Sequence, residues 1–586
     1  MAKSDARFEY RAKQNRDVHN LGEPFGFTCA AGQLLPCFED IATPGDTYYI
    51  KHDLEFLRTL PLAAPAMCDV KVHLESFFVP FQMIYQPFEE TLFSLKTPQS
   101  SNFELSGLKG NSFPVGNFSD LRTNEYGGTS KHSKARFDAF RLSDMLGMNA
   151  YAYAFDTNYP SIFAYCPNVF PWALLAYHTI FQYFYRLDDK TQFANDWANW
   201  DFWYNATSAV NLSVGIHEIH QRPWDFDYFT SSYRSPIVSS NNMQDILPAN
   251  PYSDLFTNVT TFGSKVDGNG GGPNDTIVGF SSVVSSPFDP LSVRTSISTA
   301  SIRQMFANEK LAMITGRARK TYDAQVLAHF GVEVPHDPKH DIAFIGRDTY
   351  DINIGEVTSL SSTTSAGLGD LAGKGWSVGK SKGHKFTAPC HGVVMTIFSV
   401  EPKKRYFGEY NRIYALTDAF DLPTPEYDRL GNMPMFRFET GERNGSGTVT
   451  DTDIVAWKER YYWNKHRHPK ASLAFMNNRP VTLGYNDKSS YMITSAPFGA
   501  YTGTNNNTAR PDLESRYYID TNCMDALLLQ PYIGIWQNGE TGEETSENWN
   551  KTPWLAYSRD PFIVSLDMKV KKVSWMSKDG EPIYNF

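Results

Sequence analysis

Period-two alternation of apolar and polar residues is the clearest pattern in this chain. In YIKHDLEFLR (49–58), Ile50, Leu54 and Phe56 fall on one face and Lys51, Asp53 and Glu55 on the other, as a half-buried antiparallel strand requires. VKVHLESFFVP (70–80) sets Val70, Val72, Leu74 and Phe78 against Lys71, His73 and Glu75. Near the far end, PFIVSLDMKV sets Phe562, Val564, Leu566, Met568 and Val570 against Ser565, Asp567 and Lys569. GVVMTIFSVEP (392–402) lacks polar alternation and reads as a strand covered on both faces, a signature it shares with a buried helix. AGQLLPCFEDIATPGDTYYI (31–50) joins two strand-like runs through a sharp Pro-Gly-Asp turn.

Two stretches follow helical spacing instead. PWALLAYHTIFQYFYRLDD begins with Pro171, suited to a first helical turn, and carries Leu174, His178, Phe181 and Tyr185 on one stripe. A second begins near Ser301, where Ile302, Phe306, Glu309 and Met313 form a stripe broken at Gly316. Tyr322, Val326 and Phe330 resume it, and Gly331 supplies a stop. Residues 97–168 and 236–298 are long, polar and loop-rich, and no repeat of fixed period is evident. The expected organisation is an N-terminal arm, 1–20, followed by one β domain, 21–586, interrupted by insertions at about 97–168 and 236–298.

Composition sharpens this picture. Aromatic residues reach 15% and charged residues only 20%, below the roughly 25% charged of an average soluble domain. Much ring surface must therefore be hidden, in a core or in faces that meet other chains. The net charge of −10 excludes long-range attraction of the whole molecule to nucleic acid, so any such contact must be local. The local candidates are the mildly basic arm, with Lys3, Arg7, Arg11, Lys13, Arg16 and the rings of Phe8 and Tyr10, and the C-terminal cations Lys569, Lys571 and Lys572. No secretory h-region or 18-residue apolar run is present, so a cytoplasmic site of synthesis and no membrane association are expected. The six scattered cysteines, without a CxxC pair, read as reduced thiols.

Candidate chemistry is thin. GKGWSVGKS (373–381) ends like a phosphate loop, but Lys374 stands where its first glycine is needed, and the stretch reads as a flexible loop. His217 and His220 are three apart rather than four, Pro338 interrupts His336 and His340, and His466 and His468 lack a third ligand. No GxSxG signature occurs, and the pairs Glu89–Glu90 and Asp188–Asp189 read as solvated carboxylates. The expectation is a protein that is not an enzyme and holds neither cofactor nor metal. ERYYWNKHRHPK (459–470) interleaves Arg460, Lys465 and Arg467 with Tyr461, Tyr462 and Trp463, which fits either a strand edge or a single-strand grip.

Several ordered motifs carry a family resemblance. Gly32, Leu34 and Pro36 form a G-x-L-x-P step, Pro44, Gly45 and Asp46 a P-G-D turn, and Phe77, Phe78, Val79 and Pro80 an F-F-V-P strand end. Tyr177, Ile180 and Arg186 lie in the first helical stretch, Asp227, Tyr228, Phe229 and Thr230 form D-Y-F-T, and His329, Phe330, Gly331 and Val332 close the second helical block. In this order they resemble the major capsid proteins of the Microviridae, small tailless phages with single-stranded DNA. The resemblance runs in pieces from about His19 to the C-terminus. It departs at GRARKTY, where the family has Arg-Gly-Gly-Thr-Arg-Tyr, and within 97–168.

The resemblance implies a mainly β fold: an eight-stranded antiparallel jelly roll of viral capsid type, with long loop and helical insertions. It implies a homo-oligomeric, small (T=1) icosahedral virion shell around single-stranded DNA, assembled in the bacterial host cytoplasm. The implied partners are a small basic DNA-binding virion protein and a host surface receptor met through exposed loops; the Ser-, Asn- and Gly-rich segment 236–298 is the candidate for a loop that meets the host or decorates a symmetry axis. A different class remains open on the residues alone: an aromatic-rich carbohydrate-binding or carbohydrate-active β protein, with Trp197, Trp200 and Trp203 as its platform.

Overall fold

The computed structural model describes residues 16–59, 69–93, 116–117, 141–147, 170–187, 210–211, 219–233, 307–308, 310–316, 318, 322–333, 337–355, 374–403, 411–416, 421–428, 431–436, 439, 454–469, 518–519 and 560–576. The strands are β1 (Asp17–Asn20), β2 (Pro24–Cys29), β3 (Leu35–Ala42), β4 (Thr47–Thr59), β5 (Val70–Pro80), β6 (Gly116–Asn117) and β7 (Val210–Asn211). They continue with β8 (Ala343–Gly355), β9 (Lys374–Gly379), β10 (His384–Thr387), β11 (Gly392–Pro402), β12 (Asn432–Phe436), β13 (Ile454–Glu459) and β14 (Phe562–Ser574). The helices are α1 (Phe81–Ile84), α2 (Phe88–Phe93), α3 (Trp172–Ile180), α4 (Tyr322–Phe330) and α5 (Tyr462–Lys465).

The main sheet follows the order β1-β14-β4-β9-β8-β5-β11-β3, with β2 also on β14 and β10 also on β4, and every pairing in it is antiparallel. It curls into a jelly-roll sandwich. Leu35 of β3, Val72 and Leu74 of β5 and Phe398 of β11 meet Ile50 and Leu54 of β4 and Val564 and Leu566 of β14 in one core. The strand–turn–strand of residues 31–50 is not a hairpin: β3 pairs with β11, whereas β4 pairs with β14, β9 and β10. The Pro-Gly-Asp turn is therefore a corner between layers.

The alternation of β14 holds as expected, with Phe562, Val564, Leu566, Met568 and Val570 all buried. β4 follows it only as far as Leu54. Ser565 faces Phe56 while Leu566 faces Leu54, so Glu55 is an extra residue, and beyond this bulge Leu57 rather than Phe56 is fully buried. β11 is buried along its whole length, as expected. β5 departs from expectation: His73 and Glu75 are buried as well as Val72 and Leu74. Its second face is covered by α1, α3 and the turn that follows α3, whose Phe81, Leu174 and Phe181 respectively pack with Phe77 and Val79 of β5 and Val393, Met395 and Ile397 of β11.

α3 starts directly after Pro171 and continues as a π-helical turn, Phe181–Tyr185, closed by Arg186 N donating to Phe181 O at 2.8 Å. All four residues of the expected stripe, Leu174, His178, Phe181 and Tyr185, are buried. In the second helical block α4 ends at Gly331, where φ is +69°. Phe330, expected on the helical stripe, is 77% exposed. The loop reading of 373–381 is corrected, because Lys374–Gly379 is β9, wedged between β4 and β8. β1 pairs with β14, so the last four residues of the expected arm are strand. Lys3, Arg7, Arg11 and Lys13, the tryptophans Trp197, Trp200 and Trp203, and the segment 236–298 lie outside the described residues.

Candidate functional site

The Pro-Gly-Asp corner ties the chain's two ends together. Gly45 adopts φ +91°, and a Cβ there would lie 2.8 Å from Trp575 Nε1, so both the turn and the ring above it require glycine. Arg16 stacks on the same Trp575 ring at 4.3 Å. Asp46 is fully buried and its Oδ2 accepts from Thr43 N at 2.9 Å. Burial opposes its charge, but that hydrogen bond and Lys572 prevail and hold the carboxyl below its usual range.

This corner decides the fate of the C-terminal cations. Lys572 is held by Asp40 at 2.9 Å, Asp46 at 3.4 Å and the Ile41 carbonyl at 2.7 Å, and Asp40 also accepts from Tyr48. Lys569 pairs with Asp53 at 2.7 Å and Asp567 at 3.1 Å. Lys571 is exposed and stands opposite Tyr49 in the sheet. Arg16, Lys569 and Lys572 thus have internal partners.

On the covered face of β5, Gly32 and Leu34 build a second junction. Gly32 has φ +76°, and a Cβ there would collide with Ile519. Leu34 N donates to His220 O, while Tyr177 OH donates to Leu34 O and accepts from His220 N. The G-x-L-x-P step and the tyrosine of α3 therefore act on one another directly; Pro36 continues into β3. Beside them, Glu75 receives Arg222 at 2.8 Å, Arg347 and the hydroxyl of Tyr185. Arg222 also reaches Glu401 at 3.3 Å, which pairs with His73 at 2.9 Å. Burial alone would raise the Glu75 pKa, but the Arg222 charge and the Tyr185 hydrogen bond bring it below normal. Phe78, Val79 and Pro80 end β5, with Phe78 in the inter-layer core and Val79 under α1 and α3.

The D-Y-F-T element forms a tight turn whose Asp227 Oδ1 accepts from the backbone of Phe229 and Thr230, each at 2.9 Å. Thr230 Oγ1 accepts from Asp227 N at 2.9 Å. Tyr228 donates to Glu439 at 2.6 Å, and Arg412 binds the same carboxylate at 2.6 Å. The turn packs on the β12–β13 pair through Met435 and Ala456. Tyr228, Phe229, Arg412, Trp463, His466 and His468 line an open cleft there. Lys458, directly before the 459–470 stretch, sits over its Tyr462 at 4.0 Å, and Arg460 within it sits over Tyr427 at 5.4 Å, so this ring and this cation already have partners.

Two further groupings escape motif reading. His52, Asp348 and His384, from β4, β8 and β10, converge. His52 obeys the alternation of β4, between Ile50 and Leu54 on the inward face, and a histidine at such a position is the signal that sequence alone offered. The second grouping is apolar and outward: Trp376 and Val378 on β9 are 53% and 56% exposed, and Trp376 stands level with Arg58 and Asn353 on its neighbours. Phe344, nine positions away along β8, is 48% exposed but packs its ring on Phe77 and Phe184 and is not part of that pair. No spacing rule announces these residues, because an outward apolar position on a strand looks like a core position until both layers are placed.

A comparison with curated protein sequences gives no match. The family model described as Capsid protein (F protein) matches residues 10–110 and 172–532. The unmatched interval falls largely on the insertion at 97–168, and β14 lies beyond the matched part although it pairs along nearly the whole of β4. The matched residues include the G-x-L-x-P step, the P-G-D corner, F-F-V-P, α3, D-Y-F-T and α4. A match over most of its length shows that the chain belongs to the phage capsid protein (F protein) family, a structural component of the virion.

Proposed function

We propose that identical copies of this chain close into a small icosahedral shell around a single-stranded DNA genome, assembled in the bacterial cytoplasm. The observation that carries this reading is the outward apolar pair Trp376 and Val378 on one face of β9, 53% and 56% exposed. An exposed tryptophan and valine beside Arg58 have the composition of an interface core rather than of free surface. A second copy is the occupant that a capsid subunit meets, and closure under symmetry binds each copy on several sides, so modest contacts suffice. The family membership supports a virion role and gives no support to the carbohydrate-binding alternative.

The shell's dealings with DNA follow from charge. The net charge is −10, and Lys569 and Lys572 are held by carboxylates, which leaves Lys571 as the C-terminal cation open to DNA. A separate small basic virion protein therefore neutralises most of the genome's phosphates, and Lys3, Arg7, Arg11, Lys13 and Lys571 make the remaining contacts. The segment 236–298 is the receptor-facing loop.

Electron microscopy of the purified full chain tests the reading: closed particles of uniform diameter are expected, and a chain that stays monomeric when concentrated overturns it. Shells of this protein alone that package DNA with a steep salt dependence overturn the need for a basic partner. Deleting 236–298 should spare particles and abolish adsorption to cells, whereas lost particles would make the segment an intersubunit element.

A further inference from the structure

Three strands bring two imidazoles and a carboxylate to one point inside the sandwich. His52 Nδ1 lies 2.7 Å from Asp348 Oδ2, and His384 Nε2 lies 3.1 Å from the same oxygen. One ligating atom of each residue lies within 4.8 Å of those of the other two. His52 is fully buried, and Asp348 and His384 are largely so. His384 can take this position because residue 346 is glycine: a Cβ there would come within 2.2 Å of the imidazole. Ser381 Oγ approaches Asp348 Oδ2 at 2.5 Å, which puts a fourth donor atom beside the cluster.

We propose that His52, Asp348 and His384 form a binding site for a first-row divalent transition metal of the zinc class, which fastens β10 and the 380–383 turn to β4 and β8. Two imidazole nitrogens and one carboxylate oxygen are a donor set that zinc accepts and that calcium and magnesium, which take oxygen ligands, do not favour. Ligands about 2.0–2.2 Å from zinc stand a little over 3 Å from one another in a tetrahedron, so the two nitrogens, now 2.7 and 3.1 Å from Asp348 Oδ2, need only ease slightly away from it to admit the ion. Water or Ser381 Oγ completes the coordination.

The surroundings are those of a ligand rather than of a bare hydrogen-bonded triad. Metal at Nδ1 of His52 requires the proton on Nε2, and Nε2 faces Ser76 Oγ at 2.6 Å, with Thr396 Oγ1 a further 2.8 Å beyond. Both hydroxyls can donate or accept, so the change of tautomer is absorbed without leaving a buried group unpaired. This is the outer shell that orients a ligating histidine. Burial lowers the His52 pKa, which favours the neutral imidazole a metal needs. Burial pushes Asp348 up, but hydrogen bonds from His52 and Ser381 overcome it and hold the carboxyl at about 2, in its anionic form. Tyr350 OH, donating to the His52 carbonyl at 2.6 Å, fixes the strand from which the ring projects.

The test uses the full chain, stripped with a chelator and titrated with zinc chloride alone. Calorimetry should give one equivalent per chain, with a rise in Tm that the chelator reverses. Cobalt(II) in place of zinc should give the visible band of a tetrahedral site. His384→Ala, at the sheet edge, should lose the equivalent and the cobalt band while the metal-free Tm changes little. Asp348→Asn should do the same with side-chain volume kept. His466→Ala and His468→Ala should leave both intact. Ser76→Ala should weaken zinc binding about tenfold or more. Absence of stoichiometric binding by the wild-type chain, or full retention in His384→Ala, overturns the site.

Discussion

Arg222 Nη1 lies 2.8 Å from Glu75 Oε2 on the covered face of β5, with both side chains buried. The carboxylate is charged there because Arg222, Arg347 and the Tyr185 hydroxyl converge on it. Removing one partner of such a pair leaves an uncompensated buried charge, whereas removing both at matched volume does not. Arg222→Ala should cost about 3–5 kcal/mol in denaturant unfolding of the dissociated subunit. The double variant Arg222→Met/Glu75→Leu should recover much of that loss. A single variant that unfolds at the wild-type midpoint would show that Arg347 alone satisfies Glu75.

Acid should destabilise the subunit in two stages. Burial and the neighbouring His178 hold His220 well below 6.5, and burial holds His52 below it. For such a base the unfolded chain takes up its proton first, so the folded state has its full stability above about 6.5 and loses it as pH falls below that value. Glu75, whose folded pKa lies below the unfolded 4.5, contributes stability that is complete above 4.5 and is lost as pH falls through the folded value. All three act in the same direction. Tm measured against pH should be level near neutrality, decline below about 6.5 and fall more steeply below about 4.5; a Tm that rises between neutrality and moderate acidity contradicts the histidine stage.

How far the sequence foretells this structure depends on what each residue's surroundings are made of. Strands that face water on one side, such as β14, declare themselves, because solvent selects their polar face. β5 looked half-buried because His73 and Glu75 are polar, and only the approach of Arg222 from a distant segment and of α3 turns that face into a buried one. The bulge at Glu55 has no signature in a window of ten residues, since the mismatch lies between β4 and β14, whose paired residues are some five hundred positions apart. The motif residues were visible, but their physical reasons were not: Gly45 is fixed by Trp575 and Gly32 by Ile519, both from the far end of the chain. The lysines of β14 read as genome contacts because their acidic partners, Asp40, Asp46 and Asp53, sit on other strands.

Gly45→Ala separates two costs at the corner. The new Cβ meets Trp575 Nε1 at 2.8 Å, and φ of +91° is strained for any L residue. The expected loss is about 1–3 kcal/mol of strain, plus whatever the indole must yield. Adding Trp575→Ala removes the clash but not the backbone strain, and also frees Arg16 from its ring. The double variant should therefore be less stable than Trp575→Ala alone by the strain contribution only, measured as urea midpoints in a double-mutant cycle. Full additivity of the two single losses would show that the ring does not restrict this glycine.

Trp376→Asp addresses assembly directly. Trp376 is more than half exposed on the outer face of β9, beside Arg58 on β4, while the inward neighbours Gly375 and Ser377 are buried. Substitution at an exposed position without an internal partner changes stability by about 0.5 kcal/mol or less, so the dissociated subunit should keep its unfolding midpoint. If the ring is covered by a neighbouring copy, the aspartate buries a charge at that contact without a counter-ion. Because each subunit repeats the defect around every symmetry axis, the loss is multiplied across the shell, and the variant should sediment as subunits under conditions in which the wild type forms particles. Val378→Asp, two residues along the same face, should behave alike, and Lys571→Ala should not. Particles formed normally by both aspartate variants would move the intersubunit contact away from β9.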